Sequence, residues 1–582
     1  MSLHPDEMTL QNIQQARTYK SVSPDKHMVS YKNFADLLDR RARETPDKVL
    51  LIHYDADGNR EEFSYADLNA RVNQVANYLV STLGIRRGQC VATIGFNHSD
   101  TVTIYYACWK LGAVIAPQNV TEDDDRIGFI LGNSGALIAF VRQEYLGRAE
   151  KIIHGDKPIL NIREIVQVGG APAPGYRHLQ QDCASLAREF SAPDPVTLDD
   201  ESLLVYTSGT TGAPKGVVLT QYNMLVDAHG IAAWHRITLE QRLMCVLPIH
   251  HANGIIVTLI TPLYAGASVV LNRAYSSQHF WQRIAREKAH IVSVVPTLLQ
   301  FSLEYADKAE TENRSLWGEG VTAPDVAHLR HLICGAGTLA ISLATRFEER
   351  FGFRVMHGYG LSETTCYSCF LPLDLTPEQH THWLKDFGYP SIGVPIETNE
   401  MAIFDPLGAG QKLGPGERGE ICVRGHNVMK YYYQRPDSNA ETFKFQWFRT
   451  GDEGFYEVDD QGREFFFISG RLKELINRGG VKFSPFDIEE TLLEMPQVSI
   501  ALAVAFENDY YGEEVGAYIV LNEGVTLTEE DVITHCRKRM PFEKSPKVVL
   551  FGVDAPVTAT GKYQRLKLRD RFTEWKSVQF RP

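Results

Sequence analysis

Between Thr207 and Lys215 stand four hydroxyl side chains, two glycines and one lysine, in the order Thr207, Ser208, Gly209, Thr210, Thr211, Gly212, Ala213, Pro214, Lys215. Glycines let a backbone approach a ligand closely and expose its N–H groups. Hydroxyls beside a cation suit a polyanion such as a phosphate chain. A Walker P-loop needs Gly immediately before its Lys and Ser or Thr immediately after it. Pro214 and Gly216 hold those places here, and Pro214 removes a backbone donor. Apolar runs flank the loop, Leu203–Tyr206 before it and Val217–Leu219 after it. The pattern therefore predicts strand–loop–strand rather than the strand–loop–helix of a Walker motif. A phosphate loop of another kind is expected, with a Thr/Gly-rich surface hairpin as the plain alternative.

A second cluster runs from His357 to Thr365 and contains Gly358, Tyr359, Gly360, Ser362 and Glu363. The glycines clear space beside the Tyr359 ring, where a planar base could stack. Ser362 can donate to phosphate, and Glu363 offers the hard oxygen that Mg²⁺ prefers. Gly335-Ala336-Gly337 follows the apolar run Leu332–Cys334. Such strand ends are where ligands dock in α/β sheets, or else form ligand-free turns. Cys366 and Cys369 make a C-x-x-C with no second ligand pair at suitable spacing, so they read as pocket or core residues and not as a zinc site.

Taken together, five ordered segments resemble the adenylate-forming superfamily, which includes acyl-CoA synthetases, nonribosomal peptide synthetase adenylation domains and luciferases. The phosphate loop is the first. The His357–Thr365 segment is the second, with Ser362 where many members carry Thr. Phe448-Arg449-Thr450-Gly451-Asp452 resembles the segment whose Asp grips the ribose. Ser469 to Gly480 resembles the interdomain hinge, with Arg471 at the ribose-side position and Lys473 at the pivot. Thr558 to Arg565 resembles the segment of the mobile catalytic lysine, here Lys562. The resemblance spans about Asn33 to Phe572. It extends to Pro248-Ile249-His250-His251-Ala252-Asn253-Gly254, where related acyl-CoA synthetases carry a histidine at the position of His251, beside the carboxylate pocket. Without the neighbouring motifs, the two histidines read rather as a satisfied loop pair.

The resemblance implies ATP-dependent activation of a carboxylic acid to acyl-AMP, followed by transfer to a thiol. Lys562, Glu363 and His251 would be catalytic, with Glu363 holding Mg²⁺. Thr207, Ser208, Gly209, Thr210, Thr211, Gly212 and Lys215 would hold phosphates. Gly335, Ala336, Gly337, Gly358, Tyr359, Gly360, Ser362, Asp452 and Arg471 would complete the ATP/AMP site. The acid pocket would draw on His250, His251, Asn253, Gly254, Gly335 and Gly360. Gly479 and Gly480 would admit the pantetheine arm of CoA. Carrier-protein loading in trans or amide formation is the alternative, and a non-catalytic nucleotide-binding scaffold is the alternative of a different class. No charged side chain near the pocket motifs answers a second carboxylate or an amine, so a monocarboxylic aliphatic or aromatic acid is expected.

These motifs require positioning elements, and the chain supplies them. Strands alternate with helices from Val49 to Val141, which predicts α/β architecture with doubly wound parallel sheets. From Met401 the pattern turns β-rich, and beyond Arg471 it reads as a small α+β unit. The expected organisation is an N-terminal extension (1–30) without apolar periodicity, a large adenylating domain (31–470) and a small mobile C-terminal domain (471–582). Asn33 opens a helical pattern, Ser64 and Thr528 read as helix starts, and Ser484-Pro485 reads as N-cap plus first helical position. The 582 residues exceed one core. The net charge of −13 disfavours nucleic acid, although residues 537–582 hold 12 Lys/Arg against 4 Asp/Glu. That basic tail suits an anionic cosubstrate or a solvated helix face. No apolar run reaches the ~20 residues of a membrane span, no signal peptide is visible, and nine scattered cysteines fit a reducing cytoplasm. Monomer and homodimer both remain open.

Overall fold

The computed structural model describes residues 5–207, 214–408, 410–557 and 563–581. Three sheets organise them, flanked by helices. The first has thirteen strands, six of which (49–54, 268–272, 242–245, 291–294, 331–334 and 355–359) run parallel to their neighbours in that order. Near-continuous apolar runs such as Val49-Leu50-Leu51-Ile52 form them, as expected of strands covered on both faces. Past 355–359 the sheet turns antiparallel and gathers the β-rich strands 391–395, 464–471, 448–458, 419–425 and 399–404. The second sheet has eight strands, parallel from 114–118 through 90–94 and 138–142 to 164–168. The third is built from strands after Arg471, with the antiparallel pair Val498–Asn508 and Gly512–Leu521 at its centre. This is the α/β class expected, with a β-rich portion and a separate α+β C-terminal unit.

Local signals sit where the sequence places them. Asn33 caps Phe34–Glu44, Ser64 caps Tyr65–Ser81, and Thr528 with Asp531 makes a capping box on Glu529–Arg537. Gly112 ends Ser99–Leu111 in the left-handed conformation, φ 79°. All nine cysteines are buried free thiols. Burial pushes the Cys366 and Cys369 thiols up. Among the described residues no helix is long and apolar enough to cross a membrane.

The N-terminal residues differ from expectation. Glu7–Ala16 is a helix capped by Asp6, and it buries Thr9, Ile13 and Ala16. One small residue and one hydroxyl in a three-residue stripe leave little apolar periodicity to read. Beyond it the chain is tied down: His426 Nε2 bonds the Val22 carbonyl at 3.0 Å, and the Met28 N–H donates to the Tyr222 hydroxyl at 3.0 Å. The extension is thus held against the 31–470 region through His426 and Tyr222.

Candidate active site

Four adjacent parallel strands, 242–245, 291–294, 331–334 and 355–359, end side by side, and the sequence motifs follow from those ends. Gly335 continues 331–334. A Cβ there would stand 2.5 Å from the Tyr367 hydroxyl and 2.7 Å from the Gly358 carbonyl, so only glycine fits. Ala336 next to it holds φ 63°, a left-handed conformation that costs a non-glycine residue energy and that clusters at ligand sites. The Tyr367 hydroxyl accepts from Asn253 Nδ2 at 3.1 Å, and Ser293 donates to Asn253 Oδ1 at 2.8 Å. Asn253 and Gly335 thus meet through Tyr367. The His250 and His251 rings lie with centroids 4.3 Å apart. Burial holds His250 well below the usual imidazole range. Its Nε2 is buried without a hydrogen-bond partner among the described residues.

On the other side of the strand ends, Tyr359 donates its hydroxyl to Asp452 Oδ2 at 2.7 Å. Arg471 Nε lies 3.3 Å from Asp452 Oδ1. Asp452 and Arg471 are register partners on the antiparallel strands 448–458 and 464–471, which fixes that pairing. Asp452 is only 3% exposed. Burial, reinforced by Asp452, raises Tyr359 well above the usual phenol range, so it remains a donor. Asp452 chiefly, with Glu474, Tyr359 and Glu363, raises Arg471 against its own desolvation.

Glu363 joins the two large sheets. It stands in the 3-10 turn Ser362–Thr364 after strand 355–359, and it is 8% exposed. Its Oε1 accepts from the Tyr432 hydroxyl at 2.8 Å. Tyr432 belongs to the short strand Tyr431–Tyr432, which pairs with Val217 and Val218 just after residues 207–215. Lys215 Nζ lies 4.7 Å above the Tyr432 ring centroid. Burial lowers the Lys215 ammonium pKa, Glu363 opposes this, and the charges of Lys473 and Arg435 add to it. Arg435 donates to the Pro214 carbonyl at 3.4 Å. The loop base is closed by the Thr207 N–H on the Lys215 carbonyl at 3.0 Å, and Arg126 donates to the Thr207 carbonyl at 3.1 Å. The strand–loop–strand expectation therefore holds on both sides of the loop.

Thr207, Lys215, Glu363, Tyr359, Asp452, Arg471 and Lys473 are thus linked by contacts or fields, with Gly335, Gly358 and Gly360 on the same strand ends. Gly254 follows on the 242–245 side, where a Cβ would meet the Pro248 carbonyl at 2.3 Å. Ser208, Gly209, Thr210, Thr211, Gly212 and Lys562 lie outside the described residues. Val557 and Tyr563, on either side of 558–562, form a β-bridge, and Glu489 and Glu304 help raise Tyr563, chiefly lifted by burial, to about 12. Glu304 lies on helix Pro296–Thr311 of the 31–470 region. Gly479 and Gly480 stand in an exposed hairpin turn between strands 476–478 and 481–483. Gly480 borders an open cavity of 670 Å³ together with Asn477, Lys482, Tyr511 and Arg569. Tyr367, Tyr432 and Arg435 lie in none of the five motifs. The run Tyr431-Tyr432-Tyr433 before Gln434-Arg435 was the sequence signal for the last two, and Tyr367 stands inside the Cys366–Cys369 C-x-x-C.

Residues 38–433 match the AMP-binding enzyme family, and residues 487–562 match the AMP-binding enzyme C-terminal domain. The oxalate–CoA ligase of Arabidopsis thaliana is 32% identical over 92% of this chain and 98% of its own length. The sulfoacetate–CoA ligase of Cupriavidus necator is 32% identical over 92% of this chain and 97% of its own. The crystal structure of an anthranilate CoA ligase in complex with anthranoyl-AMP superposes with a TM-score of 0.80 at 25% identity, covering 94% of this chain and 98% of that one. The chain belongs to the AMP-binding enzyme family, the adenylate-forming superfamily, as an AMP-forming acid–CoA ligase.

Proposed function

We propose that the site activates a monocarboxylic acid with an uncharged tail and passes it to CoA, with the following division of labour. Tyr359, Asp452 and Arg471 hold the adenosine. Thr207, Lys215 and Arg435, with the loop residues 208–212, hold the β- and γ-phosphates. Glu363 would hold Mg²⁺, whose chemistry when bound is to neutralise phosphate charge. Its buried carboxylate, fixed on one oxygen by Tyr432 and set among Lys215 and Arg471, fits a hard cation that shares phosphate oxygens. Lys562 steadies the two anions as they approach. A carboxylate oxygen of the acid attacks the α-phosphorus and pyrophosphate leaves. In the second half-reaction a thiol sulfur attacks the acyl carbon and AMP leaves. No side-chain nucleophile takes part, so catalysis is alignment and charge neutralisation. Residues 471–582 turn about Lys473 between the two steps, and Gly479 and Gly480 then flank the thiol path.

The observation that carries this reading is the meeting of three anchors at one set of strand ends. They are the Tyr359–Asp452 pair, the Glu363–Tyr432–Lys215 stack, and the tight packing of Gly335 on Tyr367. The first suits a nucleoside, the second a metal-bound polyphosphate, the third an acyl group. Asn253, Ser293 and Tyr367 beside Gly335 are neutral, and His250 is held neutral, which supports an uncharged acyl tail. The relatives named for oxalate and sulfoacetate take acids with a second anionic group, so the tail is the part to test. Pyrophosphate release is measured with monocarboxylic aliphatic and aromatic acids and with oxalate and sulfoacetate, each with and without CoA. Turnover with a monocarboxylate that needs CoA is expected. Preference for a dianion overturns the tail assignment, and turnover without CoA turns the acceptor to a carrier protein or amine. Nine buried thiols accord with a cytoplasmic enzyme.

A further inference from the structure

The C-terminal helix Pro485–Leu493 has two loyalties. Ile488 and Leu492 are fully buried in the core of the C-terminal unit, with Ile476, Val515 and Ile519. Phe486 points elsewhere: it packs into the aromatic cluster that Trp383, Tyr389, Phe455 and Phe467 build within 31–470. That cluster is stacked before Phe486 joins it. Trp383 lies on Phe465 with centroids 3.8 Å apart, and Phe455 lies on Phe467 at 4.8 Å. Arg418 frames the rim, its guanidinium 5.4 Å from the Tyr389 ring and donating to the Tyr389 hydroxyl at 3.0 Å. The same guanidinium lies 3.7 Å from Asp487, the residue after Phe486.

The other side of Phe486 meets the lysine-bearing segment. The Arg565 guanidinium lies 4.7 Å from the Phe486 ring centroid. Arg565 pairs with both oxygens of Glu489 at 2.6 and 2.7 Å and with Glu474 at 3.1 Å. Glu474 is the neighbour of Lys473, and Arg565 is three residues beyond Lys562. One aromatic ring therefore connects the large-domain cluster, the hinge and the segment that carries Lys562.

We propose that Phe486 is a positioning residue, the latch that seats the C-terminal unit in the orientation that forms acyl-AMP, by docking in the Trp383–Tyr389–Phe455–Phe467 socket. This rests on the two-step reading above and adds what that reading lacks, a contact that chooses between the steps. Rotation about Lys473 carries Phe486 out of the socket and exposes apolar surface on both sides, so docking holds the first orientation. The latch acts on orientation and touches neither substrate, so it governs the first half-reaction alone.

The test compares Phe486→Ala, Phe486→Leu and, from the socket side, Phe455→Ala. Acyl-AMP formation is followed by pyrophosphate release from ATP and acid. Thiol transfer is followed from preformed acyl-AMP and CoA. Limited proteolysis across 471–480 reports undocking without any substrate. Phe486→Ala is expected to lower the first rate about tenfold or more while the second stays within about twofold. Leu should restore part of the loss, Phe455→Ala should reproduce it, and both alanine variants should be cut faster at the hinge. Equal loss in both half-reactions, or unchanged rates with unchanged cleavage, overturns the latch. If Phe486→Ala unfolds, Phe486→Leu and Phe455→Ala carry the same comparison. A wild-type protein that forms no acyl-AMP defeats the reaction reading, while the proteolysis still decides the latch.

Discussion

Tyr359 and Asp452 form the fixed end of the site: the phenol donates to one carboxylate oxygen at 2.7 Å while Arg471 holds the other at 3.3 Å. The carboxylate is thereby aimed from two sides before any nucleotide arrives. An aimed acceptor is what two vicinal ribose hydroxyls require.

Asp452→Asn should therefore weaken ATP far more than acid. A charge-assisted hydrogen bond contributes about 1.5–3 kcal/mol net, which corresponds to roughly a 10- to 100-fold rise in KM for ATP. The KM for the acid should move little. Initial rates with each substrate varied in turn decide it, and a rise confined to the acid KM would place Asp452 in the acyl pocket instead.

Glu363→Gln keeps the hydrogen bond from Tyr432 and the packing of a nearly buried turn, so thermal unfolding should be close to wild type. A neutral amide is a weak Mg²⁺ ligand. Pyrophosphate release should drop by orders of magnitude and recover only partly at high Mg²⁺. Wild-type activity in a Mg²⁺ titration of the variant would remove Glu363 from the metal site.

Glu490 gives the domain contact a pH dependence. It stands on Pro485–Leu493, with its carboxyl near the backbone N–H of Ile341, the first residue of the helix Ile341–Phe351. Burial pushes Glu490 from 4.5 up to about 8, the Ile341 N–H opposes this, and Glu489 and Glu494 reinforce it. An acid whose pKa is higher when docked favours docking in its protonated form. Its contribution is complete below 4.5 and is lost as pH rises through about 8. Acyl-AMP formation should accordingly decline relative to thiol transfer as pH rises from about 5 to about 8, and level off above it. Glu490→Gln should flatten the ratio of the two rates across that range. Superimposable ratio profiles for variant and wild type would show that Glu490 does not titrate at this contact.

Much of the site was legible because its residues sit in short local motifs with a mechanism of their own. The strand–loop–strand reading of Thr207–Lys215 followed from Pro214, Gly216 and the two apolar runs, and the structure pairs Leu204 with Val218 and Tyr206 with Gly216. The helix starts at Asn33, Ser64 and Thr528 were legible because a cap is decided by one side chain and the N–H groups just beyond it. Tyr432 was not legible. Its role depends on a two-residue strand pairing with Val217 and Val218, a non-local choice that no periodicity announces. Tyr367 and Phe486 were missed for a related reason: each is an apolar-looking residue whose partner lies on a distant element. The helix Glu7–Ala16 was missed because its buried stripe is made of Thr9, Ile13 and Ala16.

The central claim is that two half-reactions share one site and that Lys562 serves only the first. Lys562 is the cation proposed to lie between two anions while acyl-AMP forms. Once acyl-AMP exists, the thiol needs access and alignment. The direct measurement is a paired assay on Lys562→Ala: ATP plus acid in one arm, preformed acyl-AMP plus CoA in the other. The account predicts a loss of orders of magnitude in the first arm, since misplaced neutralisation costs about 3 kcal/mol or more, and a rate near wild type in the second. Equal loss in both arms, or no loss in either, would contradict it.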